Sequence, residues 1–164
     1  MKNLIVPIIV SWFIFIGVDF LFHASIFESL WKEDIPALKS LKNLALLIPA
    51  GYFSFLLLTS LIGYIFYRLF PIKPKVKEVL VFAVTFGTLY SLSNIFGLFS
   101  YVEIPMKQLI AFQFVYFVEI IAVSFCLNQI LFSKNRKKDI LISFLIFILL
   151  LILGIIIQNL GMQS

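Results

Sequence analysis

Cysteine and histidine are nearly absent from this chain, which carries one of each, Cys126 and His23, in 164 residues. A lone cysteine excludes an internal disulfide, and Cys126 lies in an apolar run that says nothing of redox compartment. One histidine and one distant cysteine fall short of the two or more His or Cys ligands usual at a catalytic zinc, so no metal and no cofactor is expected. Charge is scarce as well. Charged residues are 13% and apolar residues 62% of the sequence, against about 25% and roughly 45–50% in soluble domains, which leaves too little polar surface for a water-soluble globule. Ser25, Ser91 and Ser93 lack a G-x-S-x-G context, which removes that nucleophile motif. The net charge of +5 does not signal a nucleic-acid groove, because no segment gathers basic residues with exposed aromatics. Internal repeats are missing too, and with them the support for an inverted-repeat transporter.

What remains is a series of long apolar runs. A hydrocarbon core of ~30 Å needs about 20 helical residues at ~1.5 Å rise each, and the chain holds five such runs. The expected fold is all-α, a single polytopic transmembrane helix bundle over residues 1–164 with spans at 4–27, 44–69, 79–102, 108–132 and 140–160. The first run outlasts a secretory h-region, contains Asp19 and lacks a small-x-small cleavage site, so it reads as a retained span. A first loop follows at residues 32–42, and Pro71 and Pro74 break the chain after the second span. Tyr52, Thr59 and Gly63 share one face of span two, and Gly87 and Ser91 form a small-x-x-x-small pair on span three, both suited to close helix contact. Span five is almost pure Ile, Leu and Phe. The expected arrangement is four polar-lined helices with this fifth helix docked outside, facing lipid.

Basic residues set an expected orientation. Lys2, Arg68, Lys73, Lys75, Lys77, Lys134, Arg136, Lys137 and Lys138 lie on one side, and Lys32, Lys39, Lys42 and Lys107 on the other. Lys and Arg are retained on the cytoplasmic side, which puts the N-terminus in the cytoplasm and the C-terminus outside a bacterial-type inner membrane.

The functional signal is a handful of polar residues inside the spans. Asp19 and His23 are four apart and stack on one helical face, and an ionisable pair inside an apolar span is a functional-site hypothesis. Counting ~1.5 Å per residue puts Asp19, Asn94 and Gln113 at one level, about 22 Å above the inner boundary, with His23 above and Glu119 about 14 Å up. Together with Tyr116 they form a candidate polar pocket, a column open to the outer side with Glu119 as its floor. A desolvated carboxyl favours its neutral form and a neighbouring imidazolium favours the charged one, which suits proton relay or substrate anchoring. The plain alternative is that these groups are hydrogen-bonded pairs that fix helix register.

The segment Asp19 to Trp31 resembles small bacterial multi-span membrane proteins of unknown function, in which a His is followed by a small residue, an aliphatic pair and an aromatic. His23, Ala24, Ile26, Phe27 and Trp31 take these places, while Ser25 and Glu28 show no agreement. The resemblance implies a membrane location and a helix bundle, and no activity. The sequence therefore favours a non-enzymatic carrier, sensor or accessory subunit. The competing reading is a membrane enzyme acting on a lipid or isoprenoid-like substrate. The expected partners are the bilayer, another copy or another membrane protein.

Overall fold

Within a bilayer every backbone polar group must be satisfied inside its own segment, so apolar runs of this length fold as helices. The computed structural model describes residues 4–31 and 41–161, and the first loop over 32–40 and Lys2 lie outside them. The described residues form α1 (Ile5–Leu21), a π-helical turn (Phe22–Ile26), a short α2 (Glu28–Trp31), α3 (Leu41–Leu69), α4 (Val76–Phe99), α5 (Met106–Leu131) and α6 (Arg136–Gly161). Five segments are long and apolar enough to cross a membrane, with α1 and its π turn counting as one.

Capping chemistry, more than hydropathy, places the helix ends. The second helix starts at Leu41 rather than 44. The third starts at Val76, three residues before the expected 79, because the Glu78 carboxylate accepts the Lys75 N–H at 2.6 Å and secures a first turn that hydropathy would leave in the loop. The fifth starts at Arg136, where Asn135 Oδ1 accepts the Lys138 N–H at 3.3 Å and Asp139 accepts from Ser133 and Gln129. Pro105 caps α5 with its carbonyl, which accepts from Gln108 and Leu109.

The helices gather around a central pair, α1 and α5. Half of the apolar window of α5 is buried, against 11% for α6, so α5 is the inner helix and α6 the lipid-facing one. Phe15 of α1 belongs to one buried cluster with Ile62 and Phe66 of α3, Val79 of α4, and Ile120, Val123 and Leu127 of α5. A second cluster of Ile14, Val18, Cys126 and Ile130 faces α6. The extensive seams are α4 on α5, α5 on α1, and α1 on α3 and α6.

Small residues set the closest approaches. A Cβ on Gly87 would stand 3.0 Å from the Phe117 ring, and one turn further on, Ser91 donates to the Gln113 carbonyl at 3.0 Å. Gly63 is met by Ile8 at the same spacing. Trp12 Nε1 donates to the Tyr52 carbonyl at 2.9 Å and pins α1 to α3. Trp12→Phe removes the donor together with part of the ring, and should lower stability by at least about 0.5–1.5 kcal/mol, read as a fall in detergent Tm; an unchanged Tm would show that the bond contributes nothing.

Candidate functional site

Asp19 lies in the last turn of α1, and His23 is the second residue of the π turn that follows. The turn widens the helix by one residue: the Phe27 N–H reaches the Phe22 carbonyl at 2.8 Å, five residues back. Turns of this kind recur at functional sites because they re-aim side chains without ending the helix. The sequence contains no proline or glycine here and offers no signal for it. Its support is tertiary. Ser25 Oγ donates to the Gly154 carbonyl of α6 at 2.8 Å, and Phe20 lies against Gly154, where a Cβ would come within 2.8 Å of its ring.

The π turn preserves the pairing expected from the four-residue spacing. His23 Nδ1 and Asp19 Oδ1 stand 2.9 Å apart, with side chains 22% and 21% exposed. The imidazole lies 5.2 Å, centroid to centroid, from the Phe112 ring of α5. Glu119 then reaches the pair from α5. It is only 1% exposed, and its Oε1 has no hydrogen-bond partner among the described residues. One nitrogen or oxygen from each of Asp19, His23 and Glu119 lies within 4.8 Å of the other two. Two helices thus bring three ionisable groups together within spanning segments.

An aromatic layer borders this cluster. Tyr116, one turn before Glu119, meets Phe15 and Phe55 edge-on at 6.2 Å and Tyr90 of α4 at 5.6 Å. Tyr52 of α3 lies 6.3 Å from Phe55 and completes the layer. Tyr116 stands within electrostatic reach of Glu119 and Asp19, and Tyr52 within reach of Asp19.

Gln113 and Asn94 are not among the three converging ionisable groups. Gln113 is buried on the seam between α4 and α5, where it lines a small groove of about 210 Å³ with Ser91, Thr88 and Phe117. It is six residues from Glu119, and at ~100° per residue the two side chains leave α5 about 120° apart. Asn94 is half-buried on α4, whose extensive seam is with α5 rather than α1. Depth along a span is legible from residue counting, whereas the direction a side chain takes around the bundle is not. Gln108, given no role by its sequence context, is fully buried, and its Nε2 donates to the Leu30 carbonyl at 3.0 Å, fastening α2 over the cluster's end of the bundle.

A larger apolar groove of about 630 Å³ lies between α3 and α4, lined by Leu69, Phe70, Val81, Phe82, Phe86 and Leu89. Neither groove includes Asp19, His23 or Glu119. No protein-family model, curated protein or solved structure matches the chain.

Proposed function

We propose that this chain is a small membrane carrier, or the solute-binding subunit of one, whose cargo is a small cation held within the bilayer by Asp19, His23 and Glu119. The observation that carries the reading is the convergence of two carboxyl groups and one imidazole from α1, its π turn and α5. A single acidic charge at mid-span costs about 2.5–3.5 kcal/mol on insertion scales, and two carboxylates facing each other add mutual repulsion. Such a pair is retained where a positive species neutralises it. Size agrees with charge. A small cation needs only the space between three side chains, whereas a lipid substrate needs a cavity beside the reacting groups, and the apolar groove between α3 and α4 lies apart from them.

The basic residues add an orientation to the proposal. With Arg68, Lys73, Lys75, Lys77 and the 134–138 cluster in the cytoplasm, Asp19 and His23 sit in the outer half of an inner-membrane bundle and Glu119 below them, so the cargo enters from outside. Charge movement on solid-supported membranes tests the carrier directly. Proteoliposomes should give a transient current on a jump in at least one of an alkali, an organic amine or a divalent cation; currents equal to those of empty liposomes for all three classes would overturn it.

A further inference from the structure

We propose that the Asp19, His23 and Glu119 cluster binds a divalent first-row transition cation. The inference deepens the cation-carrier reading by naming the cargo.

Geometry is the first support. Bonds of about 2.0–2.2 Å to oxygen and nitrogen place neighbouring ligands of one ion roughly 3.0–3.4 Å apart. Asp19 Oδ1 and His23 Nδ1 already stand at 2.9 Å. The three donor atoms fit within 4.8 Å of one another, so closure needs a movement of about 1.5 Å, within the swing of one glutamate side chain. Glu119 supplies the second support. It is 1% exposed and hydrogen-bonded to Asp19, its Oε1 lacks a hydrogen-bond partner among the described residues, and one of its oxygens lies within 4.8 Å of the donor atoms of Asp19 and His23. A buried carboxyl oxygen left without a donor is expensive unless a ligand completes it.

Charge is the third support. Bound through two carboxylates and a neutral imidazole, one divalent ion has its charge cancelled, and a neutral assembly is the least costly in a low-dielectric interior. The donor set then selects among ions. Calcium and magnesium favour all-oxygen shells, and thiolate-seeking ions have no partner here, since Cys126 contacts Ser143 in the α6-facing cluster. Two oxygens and one imidazole nitrogen suit Mn²⁺, Fe²⁺, Co²⁺ or Zn²⁺. The scarcity of histidine argued against a metal on sequence grounds; two carboxyl groups, one of them 96 residues from His23, supply the missing ligands.

Cobalt titration of the full chain in lipid nanodiscs tests the site, because Co²⁺ bound through nitrogen and oxygen shows visible d–d bands that free Co²⁺ in water shows only weakly. The expected result is one Co²⁺ per chain, displaced by Zn²⁺. Affinity should fall at least about 100-fold in Glu119→Gln, since loss of even an outer-shell partner of a metal ligand costs 10–100-fold. His23→Gln should shift the bands by removing the nitrogen, and circular dichroism confirms that both variants remain helical. Absence of binding, or binding unchanged in both variants, overturns the metal site. The two proposals separate cleanly. Currents driven by an organic amine with no Co²⁺ binding remove the metal and keep the carrier, while Co²⁺ binding with no current for any cation keeps the metal site and removes the carrier.

Discussion

Glu119→Gln should leave the bundle folded and abolish its cation-dependent current. The substitution keeps the size of the side chain and its place against α1, so the Tm in detergent should move by no more than about 1 kcal/mol of equivalent stability. Function should respond far more strongly. Glu119 is the deepest of the three ionisable groups, and its removal takes away one of the three donors and one of the two carboxyl groups that would balance the charge of a cation. A loss of at least about 100-fold in the cation concentration dependence is expected, in line with the effect of perturbing metal ligands. A folded variant with the wild-type current would reduce Glu119 to a packing residue. Glu119→Asp, which retains the charge and withdraws it by one methylene, should recover part of the activity; a merely structural role predicts no such ranking.

Gly154→Leu should loosen α6 from α1 and disturb the π turn together. The glycine brings the two helices so close that a Cβ would lie 2.8 Å from two carbons of the Phe20 ring and 3.1 Å from Ser25 Oγ. Overpacking of this kind costs typically 1–3 kcal/mol, and here it also displaces the acceptor of the Ser25 hydrogen bond. In lipid the loss is not offset by a hydrophobic gain, since both helices are already in apolar surroundings and association rests on close packing and hydrogen bonding. The measurable outcome is a fall in Tm, with the Asp19–His23 pair shifted relative to Glu119 and cation binding weakened in parallel. Phe20→Ala added to Gly154→Leu removes the clashing ring and should restore part of the stability. A double variant no better than Gly154→Leu would show that the clash is not with Phe20.

These two predictions concern helices that look very different in the sequence. Glu119 stands out at once as an acidic residue in an apolar run. Gly154 lies in a stretch of Ile and Leu where nothing marks it, yet it anchors the turn that carries His23. The helix that buries least of its surface therefore positions the site, through a single backbone carbonyl.

Composition and residue order by themselves determined that the chain crosses a membrane as five helices, because bilayer thickness and the need to satisfy backbone groups act on every apolar run alike. They also determined that Asp19 and His23 meet, since a four-residue spacing brings two side chains together locally, whether the turn is α or π. Tertiary structure alone decided which distant polar residues join them. Counting residues gave Asn94, Gln113 and Glu119 heights in the membrane, but a helix can present a residue at a given height in any direction. Packing of α5 on α1 turned Glu119 inward, while the seam with α4, closed by Gly87 against Phe117 and Ser91 against Gln113, took Gln113 to the other side. The azimuth of each helix is set by where small residues let backbones approach and where aromatic rings fill the gaps, and that information is shared between segments far apart in the chain.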